Sequence, residues 1–182
     1  MNAYIILIRG INVGGKNKLS MIALKECLEK IGFTDVVTYI ASGNVILRSN
    51  EPAKNVQSLV ENTLPKLFKL DNELIKVLVL TYTELQDVFD NKPIGFGEQP
   101  LKYRSDAIFL MDINITDAMA VVKTREGVDK VWAGSGVIYF QRLDALRTKS
   151  RLSGIVGTPA YKSMTIRSWS TVTKLLSLLE NY

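Results

Sequence analysis

The sequence predicts an α/β fold, more narrowly an α+β plait, in which two similar halves each place helices against a mainly antiparallel sheet. Short apolar runs rich in β-branched residues alternate with stretches whose apolar residues recur every three or four positions, as in strands and amphipathic helices. The order of these elements in the first half recurs in the second, beyond the Pro- and Gly-rich stretch NKPIGFGEQP. Repetition of the order, without repetition of residues, predicts two related halves.

The first half has the predicted order strand, helix, strand, strand, helix, strand, which is that of a ferredoxin-like domain. Ser20 is the expected N-cap of the first helix and Gly32 its stop, whereas Pro65 is expected to kink or split the second helix. The segment 36–49 forms a strand pair around SGN or one bulged strand. The predicted strands are 4–8, 36–40, 45–48 and 74–80, and the predicted helices are 21–31 and 56–67.

The second half repeats this order and adds a terminal helix. Asn114 is expected to open its first helix, and residues 145–155 are predicted as a basic helix. The predicted strands are 107–111, 130–133, 137–142 and 164–167, and the predicted helices are 115–123, 145–155 and 170–180. We therefore predict ferredoxin-like halves at 1–80 and 105–182, joined by a connector with a short helix at 81–104.

The composition excludes several classes of site. The 182-residue chain has no histidine and a single cysteine, so histidine-dependent catalytic triads and zinc sites of His and Cys are excluded. Cys27 lies beside the apolar stripe of the first helix and is expected to be a core thiol. No leader-like segment and no long apolar run is present. We expect a cytoplasmic protein without a metal, a cofactor or a membrane partner, and the oligomeric state stays open.

Positive charge is concentrated in two regions of a chain whose net charge is +5. The first loop contributes +3 from Arg9, Lys16 and Lys18. The segment 142–167 nets +5, since one acid, Asp144, stands against six basic residues: Arg142, Arg147, Lys149, Arg151, Lys162 and Arg167. Such concentration favours an anionic ligand, and the alternative is a solvated charged face.

The loop after the first strand, GINVGGKN, resembles a phosphate-binding P-loop except that Asn17 stands where a hydroxyl residue is needed. The predicted sheet is also antiparallel, which argues against a nucleoside triphosphatase. A weaker anion cradle is expected, because the Gly-Gly turn is predicted to open onto a helix N-terminus beside Arg9 and Lys16. The alternative is that the glycines only turn the chain and that Arg9 pairs with an acid. The predicted anion-binding residues are Arg9, Gly10, Asn12, Gly14, Gly15, Lys16, Ser42, Gly43 and Asn44.

Three stretches carry a family resemblance: RGINVGGKNKLSM, GFTDVVTYIASGNVIL and IRSWSTVTKLLSLLE. With them the chain resembles an uncharacterised bacterial family, one of the numbered families of domains of unknown function, whose members open with Arg-Gly-Ile-Asn-Val-Gly-Gly. Ser168 stands where the family pattern commonly has asparagine. The resemblance implies ferredoxin-like plaits and no established activity. It directs attention to residues 9–16, 42–44 and 167–171, of which the first two are expected at one end of a sheet.

Two other functions are compatible with the sequence. Nucleic acid is a candidate partner of Arg142, Arg147, Lys149, Arg151 and Arg167, because Tyr139 and Phe140 are adjacent on a strand and one of them must face away from the helices. The alternative for that aromatic is a packed interdomain contact. An enzyme acting on a phosphorylated substrate, with Lys16 or Arg9 stabilising transition-state charge, is the third hypothesis.

Overall fold

The structure is a computed structural model that describes residues 1–71, 75–180 and 182. By compactness these residues form two units, Met1–Leu85 with Leu175–Tyr182 and Gln86–Lys174. We call them the first and the second unit. The predicted bounds of 1–80, 81–104 and 105–182 differ in detail from this division, and they stay a prediction.

The first unit contains a four-stranded sheet with the strand order β2-β3-β1-β4, and each neighbouring pair is antiparallel. Its elements follow the predicted order. They are β1 (Asn2–Ile8), α1 (Met21–Lys30), β2 (Thr34–Tyr39), β3 (Asn44–Ser49), α2 (Ala53–Leu67) and β4 (Val77–Thr81). Of the predicted fourth strand, Leu74 lies outside the described residues.

The core of the first unit lies between one sheet face and helices α1 and α2. Ser20 caps α1 by accepting a hydrogen bond from the Ala23 N–H at 3.4 Å, as predicted. The thiol of Cys27 is buried in this core, and burial raises its pKa, so the prediction of a core thiol is confirmed. The helix α2 runs through Pro65 to Leu67, so of the expected kink or split the split is wrong.

The second unit repeats the arrangement with the strand order β6-β7-β5-β8, again antiparallel throughout. The helix α3 (Tyr82–Asp90) precedes the first strand of this sheet in the chain, and α5 (Trp169–Glu180) follows its last strand. The remaining elements are β5 (Tyr103–Leu110), α4 (Ile115–Val121), β6 (Asp129–Ala133), β7 (Val137–Leu143) and β8 (Met164–Ser168). The predicted α+β plait with two antiparallel sheets and a C-terminal helix is confirmed.

The predicted basic helix at 145–155 is wrong. Three short 3₁₀ segments at Asp144–Lys149, Leu152–Gly157 and Pro159–Ser163 replace it. Ser150 has an extended backbone, with ψ of 147°, which ends any helix there. The buried residues Leu152 and Ile155 are three positions apart, which suits the three-residue repeat of a 3₁₀ turn.

In the part of the chain that the structure describes, no helix is both long enough and apolar enough to cross a membrane.

Candidate functional site

The glycine-rich stretch after β1 is the tip of a small hairpin. Val13 and Lys16 pair across it, and the Lys16 N–H donates to the Val13 carbonyl at 3.0 Å. Gly14 and Gly15 have φ of +58° and +77°, the values of a two-residue type I′ turn. The glycines therefore reverse the chain, and four residues separate Lys16 from the start of α1. The expected Gly-Gly turn opening onto a helix N-terminus is absent, and Ser20 already caps that helix.

Two asparagines hold this hairpin in place. The Asn12 side-chain amide donates to the carbonyls of Leu19 at 2.9 Å and Ala41 at 2.8 Å, and its oxygen accepts from the Leu19 N–H at 2.8 Å. Asn17 donates through its amide to the Gly10 carbonyl at 2.9 Å. Every polar atom of the Asn12 side chain is thus engaged within the protein and stabilises the hairpin, and its contact with an anion stays a prediction.

An internal carboxylate already lies against this loop. The backbone N–H of Asn17 donates to Asp71 Oδ2 at 2.5 Å. Asn17 is also buried, so an external anion cannot approach this amide without displacing Asp71. Among the predicted anion-binding residues, Gly14, Gly15 and Lys16 remain exposed at the tip, and Arg9 is half-buried. The backbone N–H of Arg9 donates to the carbonyl of Lys76, which brings a further cation beside it.

The second predicted segment, 42–44, lies next to the hairpin, as expected for two loops at one end of a sheet. The Ile8 N–H donates to the Gly43 carbonyl at 2.8 Å. Asn44 is buried, and its amide donates to the Tyr39 carbonyl at 3.1 Å and to Ser42 Oγ at 2.9 Å. Ser42 and Asn44 thus stabilise the β2–β3 turn. The third segment, 167–171, belongs to the second unit.

The second unit contains a groove of about 740 Å³ where β5 begins, β8 ends and α5 begins. Apolar and aromatic side chains form one wall of it, and charged groups and hydroxyls form the rest. The lining residues are Phe89, Lys92, Phe96, Gly97, Glu98, Pro100, Leu101, Tyr103, Arg104, Ser105, Asp106, Arg142, Asp144, Ser168, Trp169, Ser170 and Thr173. This volume is in the range of small-molecule sites.

The aromatic wall is a packed set of rings. Phe89 stacks on Trp169 with ring centroids 5.7 Å apart and ring planes 7° from parallel. Phe96 meets Trp169 edge to face at 5.1 Å. The Lys92 ammonium lies 4.5 Å from the centre of the Phe89 ring, which places a cation beside this wall. Trp169 and Phe96 are buried and contact each other, while Phe89 at the edge of the wall is partly exposed.

Two ion pairs form the polar end of the groove. Asp106 and Arg142 are 13% and 23% exposed and approach to 3.2 Å between Oδ2 and a guanidinium nitrogen. Their contact lacks hydrogen-bond geometry, and within the described residues Asp106 Oδ2 and Arg142 Nε are buried without a hydrogen bond. Burial raises the pKa of the Asp106 carboxyl, and the charges of Arg142 and Arg104 oppose this increase.

The second pair joins Arg104 to Asp144 through a hydrogen bond. This bond and the charge of Arg104 lower the pKa of the Asp144 carboxyl, and Arg147 lies 3.7 Å away on the same carboxylate. Asp144 therefore stays ionised at neutral pH, whereas Asp106 is the carboxyl held closer to its neutral form. The groove thus contains two carboxyl groups with opposite tendencies.

The predicted basic patch is divided by the fold. Arg142 lines the groove, Arg147 pairs with Asp144, and Lys149 and Arg151 are exposed. Arg167 is buried and lies outside an exposed patch, because its guanidinium donates to Thr165 Oγ1 at 2.8 Å and to the Ile166 carbonyl at 2.9 Å. Burial lowers its pKa to about 10.

The adjacent aromatics of β7 do not form a stacking surface. Phe140 faces the helix-side core, as expected for one of the two. Tyr139 faces the other way but is buried, with its hydroxyl donating to the Val88 carbonyl at 2.7 Å and its ring 5.2 Å from that of Phe96. Burial raises the pKa of Tyr139 to about 12. Within the second unit, the sheet face that carries Tyr139 is therefore covered there.

The sequence prediction missed the groove. Its walls come from segments as far apart as Phe89 and Trp169, and no local periodicity links them. The available signal was the cluster of aromatic and Gly or Pro residues at 93–103 directly before a strand that starts with charged positions. Asp106 and Asp144 were interpretable from sequence only as residues that favour strand and helix ends.

Comparison with known proteins gives a family and a fold. Residues 1–139 match the family described as "Protein of unknown function (DUF1697)". The conserved bacterial protein SP0830 from Streptococcus pneumoniae has a similar structure, with a TM-score of 0.79, 23% sequence identity and 98% of each chain covered. At this identity the likeness concerns the fold alone. No curated protein sequence matches the chain at a significant level.

Proposed function

We propose that the groove of the second unit binds a small organic ligand. The chain that contains this groove belongs to the DUF1697 family of proteins of unknown function. The observation that carries this proposal is that a wall of packed aromatic rings meets the incompletely hydrogen-bonded pair Asp106 and Arg142 in one groove. Buried polar atoms without hydrogen-bond partners cost free energy in a folded protein, and a ligand that supplies the partners is one explanation for them. A perturbed carboxyl in a groove is a further mark of such a site.

The charges around the groove favour a ligand without a large net charge. Three cations face three acids across it: Lys92, Arg104 and Arg142 against Glu98, Asp106 and Asp144. A polyphosphate would bring several negative charges to a balanced site. A planar molecule that is neutral or zwitterionic suits it better, since its ring can pack beside the aromatic wall, next to Lys92, while its polar groups meet the ion pairs. Nucleosides and aromatic amino acids have this chemistry.

The experiment is a titration with adenosine, uridine, tryptophan and tyrosine, followed by NMR of the amides of Ser105 and Asp106 and the indole N–H of Trp169. We expect at least one probe to shift these signals together. Removal of a hydrogen bond to a charged group costs roughly 1.5–3 kcal/mol, so Arg142→Gln is expected to weaken that binding about tenfold or more. Phe89→Leu is a second variant that leaves the ion pair intact.

Arg147→Gln is the matched control, because Arg147 carries the same charge and touches Asp144 without lining the groove. It is expected to change the affinity less than about twofold, as for an exposed ion pair. Failure of all four probes to move the groove signals, or an equal loss in Arg147→Gln, would contradict the proposal.

A second candidate is the predicted binding of a small phosphate-bearing or other anionic ligand at the hairpin. The observation that favours it is the exposure of Gly14, Gly15 and Lys16 at the tip, with Arg9 and Lys76 neighbours at the base. Inorganic phosphate is expected to shift the amides of residues 13–16, and Lys16→Ala to weaken that effect. Lys25→Ala, an exposed change on α1, is the control. Unmoved tip amides at saturating phosphate would refute the candidate.

Other predictions stay open beside these two. An enzyme acting on a phosphorylated substrate would show turnover in a phosphatase and nucleotidase screen that disappears in Lys16→Ala. A shared Arg-Gly-Ile-Asn-Val-Gly-Gly opening among relatives and a cytoplasmic location are also still predictions.

A further inference from the structure

The second unit carries most of the net positive charge of the chain. It has thirteen Lys and Arg residues against nine Asp and Glu, which gives +4 of the total of +5. The pairing of the strands places much of this charge at one end of the sheet, where β5 and β6 begin and β7 ends. We call it the basic end, formed by Lys102, Arg104, Arg125, Lys130, Arg142, Arg147, Lys149 and Arg151.

A buried carboxylate brings two separate basic segments together at this end. Asp129 Oδ2 accepts hydrogen bonds from the backbone N–H of Arg125 at 2.9 Å and of Arg151 at 3.0 Å. These two nitrogens share one acceptor atom, so they are within about 6 Å of each other. The side chains of Arg125 and Arg151 are exposed, while Asp129 is buried. The fold thus joins 123–130 to 147–151, which the sequence leaves separate.

The eight cations of the basic end outnumber its four acids. Asp144 pairs with Arg104 and Arg147, and Asp106 pairs with Arg142. The buried Asp129, whose charge backbone amides do not neutralise, and the exposed Glu126 offset part of the remaining positive charge. The exposed cations Arg125, Lys149 and Arg151 have no ion pair within the described residues. Exposed cations on two segments whose backbones meet attract a partner with repeated negative charges.

One aromatic ring lies beside two further cations of the basic end. Lys102 Nζ and Lys130 Nζ are 5.2 Å and 5.9 Å from the centre of the Tyr103 ring, and Tyr103 is partly exposed. Cations that track a backbone, interleaved with an aromatic ring on which a base can stack, are what single-stranded nucleic acids need. The geometry points to the basic end as a binding surface for single-stranded nucleic acid, with phosphates on Arg125, Lys149 and Arg151. Tyr103, Arg104 and Arg142 belong to both the basic end and the groove, whereas Arg125, Lys149 and Arg151 do not line the groove. Substitution of these three therefore tests the inference separately from the groove ligand.

The test is fluorescence anisotropy with a labelled oligouridylate of about 20 nucleotides, measured over a salt series that starts near 50 mM. Each phosphate contact with a single strand adds about −0.7 to the slope of log K against log salt. The triple variant Arg125→Gln, Lys149→Gln, Arg151→Gln is expected to bind at least about tenfold more weakly and to lose about 2 from this slope. The Asp129 contacts use backbone N–H groups, so these substitutions keep them.

A triple change of equal charge on the first unit, Lys25→Gln, Lys54→Gln, Lys66→Gln, is the control, and all three lysines are exposed on α1 or α2. It is expected to keep both the affinity and the slope of the unchanged protein. Tyr103→Leu is expected to weaken the oligouridylate and leave a duplex of equal length unaffected. Absence of binding at low salt, equal losses in both triple variants, or tighter binding of the duplex would overturn the inference.

Discussion

Replacement of Gly43 by alanine is expected to lower the free energy of unfolding by about 2–5 kcal/mol, which combines left-handed strain with overpacking. Gly43 has φ of +78°, and a Cβ there would lie 2.8 Å from the backbone oxygen of Ile8 and 3.0 Å from the side chain of Ile11. The β2–β3 turn cannot move away from β1 without losing the hydrogen bond that the Gly43 carbonyl accepts from the Ile8 N–H. Ile11 is itself fully buried, so it can move only by displacing neighbouring core side chains.

Gly10→Ala separates the two causes. Gly10 has nearly the same φ, +77°, but a Cβ added there would have no neighbouring atom within 4 Å. Its cost is therefore backbone strain alone, about 1–2 kcal/mol. Urea unfolding of both variants, compared at equal m-values, measures the difference. Equal losses for Gly10→Ala and Gly43→Ala would show that the contact with β1 is not the cause.

The folding pattern was predictable where local sequence and tertiary packing agree. Leu24 and Leu28 mark the buried side of α1, and Ser20 caps it, so periodicity and capping point to the same helix. On α5, Val172, Leu175, Leu176 and Leu179 are all buried as their spacing predicts. At 145–155 the two disagree, because Asp129 fixes the Arg151 amide and Ser150 is extended. The Asp129 carboxylate is more than twenty residues from Arg151 in the sequence, so the spacing of apolar residues in 145–155 does not reveal its effect.

The candidate site was predictable only in part, for a related reason. Adjacent loops at one end of the first sheet follow from strand order, so residues 9–16 and 42–44 were correctly placed together. Whether Gly14 and Gly15 form a cradle or a hairpin tip depends on hydrogen bonds from Asn12 and Asn17, which a glycine pattern does not encode. The groove depends on pairs distant in sequence, such as Arg104 with Asp144. Such pairs form only when the chain is folded, so they cannot be identified from the sequence alone.

Gly97→Ala is the second substitution with a large expected effect, and it acts on the groove itself. A Cβ at Gly97 would lie 2.3 Å from Cδ1 and 2.6 Å from Nε1 of Trp169, and φ at Gly97 is +78°. Trp169 is buried between Phe89 and Phe96, so its indole cannot turn aside without breaking those ring contacts. We expect a loss of about 2–5 kcal/mol in the free energy of unfolding, again from strain and overpacking together.

Gly95→Ala is the matched control in the same connector, with φ of +80° and no neighbour within 4 Å. It is expected to cost about 1–2 kcal/mol through strain alone. In a Trp132→Phe background Trp169 is the one remaining tryptophan, so its fluorescence reports the position of the indole directly. Gly97→Ala is expected to shift that emission and Gly95→Ala to leave it unchanged. An unshifted emission in Gly97→Ala would mean that the backbone around Gly97 moves and the Trp169 indole does not. The packed rings would then resist displacement more than the backbone that contacts them.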